Sequence, residues 1–238
     1  MSSKFAIKEV ADVIFFDIET GKPVLFFDTL KVSSIENAAE SANATGGRGN
    51  GILTTWNYGR TATLQMQDAL LSMDSMSLLS GNEIENGGVI YKRDKLTSDG
   101  TGKLTLTETP VNGVSVYPLV DGGMGDEDTA GTVDGLSITG LTADTSYAVF
   151  YEYTAPAGAK TVRFSSDKFP STYRVVGDTL VRDAVTNKDK VAQFFIPKAQ
   201  LQAGFTLTMD VENVSTFDFN LDILRNGEQT DLYTVTVL

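Results

Sequence analysis

The sequence predicts a mainly β protein of antiparallel strands with a single short helix, and three observations carry that prediction. From Ile52 onward Ile52, Trp56, Tyr58, Ala62, Leu64 and Met66 are apolar, while Thr55, Asn57, Gly59, Thr61, Thr63 and Gln65 between them are polar or lack a side chain. The same period of two runs through Phe217, Phe219, Leu221 and Ile223, the pattern of strands with one face on a core and one on water. Only Ala69, Leu70, Met73, Met76 and Leu79 recur at three- and four-residue spacing, which places them on one helical stripe.

Taken in order, Val13–Phe16 and Val24–Phe27 are two apolar runs separated by a polar stretch containing Gly21, and they read as a hairpin. The segment Val32–Gly51 is small and polar and is expected to be a long mobile loop. The strand over 52–66 and the helix follow, with Gly81 placed to stop the helix. Further strands are expected at Val89–Lys92 and Lys103–Thr109. After turn signals at Asn112-Gly113, Asp121-Gly122-Gly123 and Asp134-Gly135 comes a strand over Tyr147–Tyr153. Strands over Tyr173–Asp183 and Val191–Ile196 precede an antiparallel pair. In that pair Phe205, Leu207, Met209 and Val211 alternate with Thr206, Thr208, Asp210 and Glu212, and Phe217–Ile223 is the partner. Leu232–Leu238 supplies a last strand after the Asn226-Gly227 turn, and no repeat at a fixed period is visible.

Composition bounds the function. The chain of 238 residues, 41% hydrophobic and 21% charged, can bury a core without disulfides. It has neither cysteine nor histidine, which excludes thiol nucleophiles, the usual zinc sites, Ser-His-Asp triads and histidine bases. Carboxylate catalysis and carboxylate-bound calcium or magnesium survive that exclusion. No apolar run approaches a membrane span, and the first residues lack a secretory pattern, so synthesis in the cytoplasm is expected.

The net charge of −12 disfavours wrapping nucleic acid, though an acidic surface suits DNA that must slide past without sticking. Between Leu104 and Ala159 there is no Lys or Arg, while Glu108, Asp121, Asp126, Glu127, Asp128, Asp134, Asp144 and Glu152 are negative. This stretch, 104–159, is read as an acidic β-rich insertion into a core formed by 1–103 and 160–238. Within it, Leu141-Thr142-Ala143-Asp144-Thr145-Ser146-Tyr147 resembles the turn and tyrosine entering a late strand of fibronectin type III or immunoglobulin-like modules. The insertion is short for a full sandwich of that kind.

Each motif has a plain alternative. The glycines of GGRGNG, Gly46 to Gly51, precede a strand and no Gly-Lys-Ser/Thr follows, so a flexible or partner-ordered loop outweighs a phosphate site. Asp121, Asp126, Glu127 and Asp128 offer oxygens to calcium without EF-hand spacing, and a solvated turn explains them as well. Asp218 and Asp222 resemble a glycosidase pair only by residue type. Trp56, with Tyr58, fits core packing better than a sugar platform. Met66, Met73 and Met76 fit the stripe of a helix covering a sheet, part of which could meet a neighbouring subunit. Arg48 and Arg60 are either solvated or paired with acids across an interface. No cofactor, metal or catalytic residue is expected.

The order of parts resembles that of phage major tail proteins that form the tail tube. The local resemblance lies in GNGILTTWNYGRTATLQMQDALLS, on Gly49, Asn50, Trp56, Tyr58, Gly59, Arg60, Asp68, Ala69 and Leu70. A second stretch, Val191 to Leu224, is similar to the closing strands of such proteins. The resemblance implies two packed antiparallel sheets with a flanking helix, a sandwich that contributes to a ring-wide barrel. Six copies would close a ring and rings would stack into a tube, assembled in the host cytoplasm and carried in the virion. The implied partners are further copies of the chain, the tape measure and the terminator or sheath proteins, with genome DNA passing through unbound and no membrane involved. Asn43, Gly46, Gly47, Arg48, Gly49, Asn50 and Arg60 are the expected subunit-interface residues, and the insertion would project outward. The competing readings are a β-sandwich surface binding module, supported by the Ig-like stretch, and more remotely a carboxylate hydrolase.

Overall fold

The computed structural model describes residues 4–207, 209, 211 and 216–238. It is 56% strand and 3% helix, so the mainly β antiparallel expectation holds. The strands β1 (Phe5–Ile7), β2 (Asp12–Asp17), β3 (Pro23–Phe27), β4 (Leu30–Gly46) and β5 (Gly51–Asp68) precede helix α1 (Met73–Ser80). Then come β6 (Glu85–Asn86), β7 (Val89–Thr97), β8 (Leu104–Thr105), β9 (Pro110–Val120), β10 (Gly123–Met124), β11 (Thr132–Asp134), β12 (Ser137–Thr139), β13 (Ser146–Thr154) and β14 (Lys160–Thr161). The described strands end with β15 (Thr172–Asp183), β16 (Asp189–Leu201), β17 (Phe217–Ile223) and β18 (Thr234–Val237). Two compact units result: Met1–Glu83 with Val162–Leu238, and Ile84–Thr161.

In the first unit one continuous antiparallel sheet runs β3-β2-β15-β16-β17-β5-β4, with β1 beside β15 and β18 beside β16. Its first and last members, β3 and β4, are consecutive in the chain and joined only by Asp28 and Thr29. A two-residue link cannot span an open sheet, so the sheet must curl until its ends meet. The meeting is fastened where Thr29 Oγ1 donates to Asp68 Oδ1 at 2.5 Å and the Ala69 amide donates to the Thr29 carbonyl at 3.2 Å. Inside the curl, Phe15 and Phe27 pack edge to face at 5.3 Å, and Phe27 and Phe219 at 5.0 Å. Val13, Leu64, Val175, Ile196 and Leu221 are fully buried around them. Gly177 leaves room in β15 for the Phe194 ring, which would have to shift to admit a Cβ placed 2.1 Å from it.

The helix is shorter than its sequence stripe. Ser72 caps it, accepting from the Ser75 amide, while Ser75 Oγ accepts from the Ser72 amide, a reciprocal box that fixes the start. Gly81, at φ +70°, ends it, and its amide donates to the Ser77 carbonyl. Leu71, Leu78 and Leu79 pack on the core, whereas Met73 and Met76 are only half-buried. The expected strand over Phe205–Glu212 includes Thr208, Asp210 and Glu212, which lie outside the described residues, and Phe205–Leu207 form no strand. The partners of β17 are β5 and the end of β16.

The second unit is a sandwich of its own. A four-stranded sheet, β10-β9-β13-β7, and a three-stranded sheet, β11-β12-β8, share a core in which Val116, Tyr147, Val149 and Tyr151 of the first meet Leu104 and Ile138 of the second. The sequence boundary at 104 leaves out β7, which pairs with β13 along its whole length from Val89↔Thr154 to Thr97↔Ser146. With β7 included, the strands suffice for the two-sheet module that 104–159 alone is too short to make. In the tyrosine motif the Thr142 amide donates to Tyr147 Oη at 3.0 Å, and that hydroxyl donates to Asp128 at 3.2 Å. The chain enters and leaves this unit through β6 and β14, which pair with each other.

Candidate assembly surface

The segment expected to be a mobile loop, Val32–Gly51, is strand nearly to its end: β4 pairs with β5 from Leu30↔Asp68 to Gly46↔Gly51. Sequence reasoning missed this because Ala38, Ala39, Ser41 and Ala42 offer no burial pattern. Beyond Asn37↔Ala62 the hairpin leaves the core and becomes a two-stranded arm, exposed along its length except for half-buried Ala44 and Gly46. The glycines of GGRGNG turn its tip. Gly47, Gly49 and Asn50 have φ of +76°, +92° and +51°, and the Asn50 amide donates to the Gly47 carbonyl.

The arm overturns one face assignment. The pairing slips between Ala38↔Thr61 and Glu40↔Tyr58, so Gly59 and Arg60 oppose the single residue Ala39. Gly59 sits at φ +61°, the geometry of a bulge built on a left-handed glycine. One extra residue moves every later side chain to the opposite face. Ala62, Leu64 and Met66 are buried, but Trp56 and Tyr58 fall on the other face, 59% and 53% exposed. They are not core residues. Trp56 stands opposite Ala42 and Tyr58 opposite Glu40, and Ala38 and Ala44 lie on the same face, so little covers the rings. A second slip, between Ala44↔Thr54 and Thr45↔Ile52, leaves Leu53 unpaired, and Leu53 and Ile52 are 72% and 64% exposed.

All seven expected interface residues lie on this arm. Gly46, Gly47, Arg48, Gly49 and Asn50 form the tip. Asn43 accepts a hydrogen bond from Thr55 at 2.7 Å across the strands, and Arg60 belongs to the bulge at the far end. Neither Arg48 nor Arg60 has an ion-pair partner among the described residues. The arm also exposes Ile52, Leu53, Trp56 and Tyr58, which are not among the expected residues. The signal that could have found two of them is Gly59, since a glycine inside a strand pattern marks a bulge.

A different chemistry covers the outward face of β4, β5 and β17 where they belong to the sheet. Gln65 donates to Glu36 at 3.2 Å, Gln67 to Asp218 at 3.0 Å, and Gln202 to Asp222 at 2.9 Å. There is no Lys or Arg within 32–37, 61–68 or 217–223. The face is therefore acidic and amide-rich, its carboxylates held by amide donors and, among the described residues, in no ion pair with a Lys or Arg. Asp218 and Asp222 belong to these amide pairs. Among the described residues no group of three or more acids is placed to hold a metal ion, and Asp128 instead accepts from the Ala130 amide and Tyr147.

On another side of the same unit, a cleft of about 410 Å³ opens between β1, β15, β16 and β18 on one wall and the base of the hairpin on the other. Its lining is mainly apolar, with Phe5, Ile7 and Val235 more than half exposed in it. β1 is held against β15 and β16 by Asp189, which takes Arg182 through two bonds of 2.7 and 2.9 Å and Lys8 at 3.1 Å. These hydrogen bonds, from Arg182 first and then Lys8, hold the Asp189 carboxyl far below the usual carboxylate range.

The family model described as the YomU/Tube protein family matches residues 5–235. No curated protein matches the chain.

Proposed function

Since the chain belongs to the YomU/Tube family, a phage tail tube family, we propose that its copies self-assemble into hexameric rings that stack as the tail tube. The family places the protein in the virion as a structural component of the tail. The role is mechanical and not catalytic, and the tube serves as the conduit for genome ejection. Assembly in the host cytoplasm, around the tape measure and against terminator or sheath proteins, belongs to the same proposal.

The observation that carries this reading is the arm. A two-stranded ribbon is marginal in water by itself, and this one leaves Ile52, Leu53, Trp56 and Tyr58 bare. Burying side chains of this size is worth about 1.5–3 kcal/mol each when complete. A protein that keeps such a ribbon needs a surface to lay it on, and in a tube that surface is another copy. Neighbouring copies also cover strand edges that would otherwise recruit strands without control. The acidic, amide-rich face of β4, β5 and β17 suits the channel wall, where uncompensated carboxylates repel DNA phosphates and let the genome slide. The Ile84–Thr161 unit acts as a decoration that the tube does not need for closure.

Electron microscopy of the purified protein tests the proposal. Rings or tubes with a central channel are expected, together with protection of the arm from proteolysis on assembly. Monodisperse monomers at high concentration, with the arm equally cleavable, would overturn it and favour a surface binding module.

A further inference from the structure

The arm and the apolar cleft are different patches of one chain, and each lacks what the other offers. The arm presents an indole, a phenol and two aliphatic side chains with little to cover them. The cleft presents Phe5, Ile7 and Val235 around a volume of about 410 Å³, enough for a tryptophan with part of a neighbour. Residues 38–61 carry Arg48 and Arg60 against Glu40 alone, a net positive segment in a chain of net −12, while the one charged residue lining the cleft is Glu9, with Lys8 4.0 Å away and itself drawn to Asp189 at 3.1 Å.

The arm cannot fill its own cleft. Ile35 and Leu64 line the cleft and the hairpin departs from them. Trp56 pairs with Ala42, seven residues beyond Ile35, and at about 3.3 Å per residue the ring lies roughly 20 Å away along paired strands. A fold-back would break the ladder of pairs.

We propose that the arm of one copy seats its Trp56–Tyr58 face in the cleft between β1, β18 and the hairpin base of a second copy. This rests on the assembly reading above and names the receptor for the arm. The contact is heterologous, because donor and acceptor patches differ. Each bound copy therefore still has one arm or one cleft to offer, and association closes into rings or continues without limit. Trp56 is the anchor, since large aromatic side chains buried at the centre of a contact dominate its energy.

The absence of native cysteine makes a clean test possible. Thr54→Cys, on the Trp56 face of the arm, is combined with Ile7→Cys at the cleft, and both positions are exposed in the single copy. Oxidation of assembled protein is expected to give a ladder of covalent multimers on a denaturing gel, absent from either single variant mixed with itself. Trp56→Ala is expected to raise the concentration needed for assembly at least tenfold with an unchanged melting temperature. Tubes that form normally and give no ladder, or that assemble unaffected by Trp56→Ala, would refute this receptor while leaving the tube itself standing. Wild-type protein that forms no rings or tubes at all would remove the assembly reading, and this inference with it.

Discussion

The two halves of the β4–β5 hairpin share strands, hydrogen bonding and a continuous chain, yet one half belongs to the folded unit and the other does not. From Leu30–Asn37 against Ala62–Asp68, alternate side chains enter a core of phenylalanines and leucines. From Ala38 to Thr61 nothing is fully buried. The divide is Gly59, whose bulge moves the apolar side chains of β5 to the other face as the ribbon leaves the sheet. The same secondary structure can bury its apolar side chains or leave them bare, according to which face a one-residue slip presents.

Truncating equivalent positions on either side of the divide should break the comparison most visibly. Leu64→Ala removes a fully buried side chain and is expected to cost about 2–5 kcal/mol in chemical denaturation. Trp56→Ala, though it deletes a larger side chain, should change subunit stability by less than about 0.5 kcal/mol. Equal losses would mean that the arm already packs within one subunit.

Excising Ile84–Thr161 extends the contrast to the other unit. Because β6 and β14 pair, the cut ends lie side by side and a short linker can join them. Calorimetry of the whole chain should show two transitions and the excised chain only one, with assembly retained. Loss of assembly on excision would show that the second unit belongs to the tube wall.

A smaller effect is expected at the divide itself. Gly59→Val forces a branched side chain into φ +61°, at a cost of roughly 1–2 kcal/mol. Since the strain falls where the arm joins the sheet, hydrogen exchange should quicken across 38–61, while the melting temperature stays nearly constant.

The smallest effect concerns pH. With no histidine, no side chain of ordinary pKa titrates between about pH 5 and 8, so subunit stability and assembly should be flat there. Asp189 is held low in the folded state by Arg182 and Lys8, so its contribution is present above the unfolded carboxylate value. That contribution is lost as pH falls through the folded pKa. Asp189→Asn should therefore remove a small part of the acid-dependent loss seen in a pH titration of unfolding, and loosen β1 at neutral pH. A titration identical to wild type would show that the pair is fully solvated.

What could be read from the sequence follows from where side chains meet a core. Ala62, Leu64 and Met66, and Phe219, Leu221 and Ile223, alternate because one face is buried, and the strands there were legible. Ala38 to Ala44 carry no such record, because both faces of a ribbon meet solvent, and their small polar character reads as loop. Trp56 and Tyr58 kept the right spacing in sequence while a bulge had moved their face. The limits of the second unit were hidden for another reason: β7 and β13 are far apart in the chain, and their pairing leaves no local mark. The family resemblance supplied the tube, and the arm is where the residues themselves bear on it.

The order in which these parts are made has a consequence for timing. The arm is complete at Thr61, but β18, which closes one wall of the cleft, begins only at Thr234. A chain still on the ribosome thus offers something to insert well before it has anywhere to receive. In the proposed contact, an unfinished subunit would add once and go no further, and a tube would lengthen only through copies in which β18 has been made.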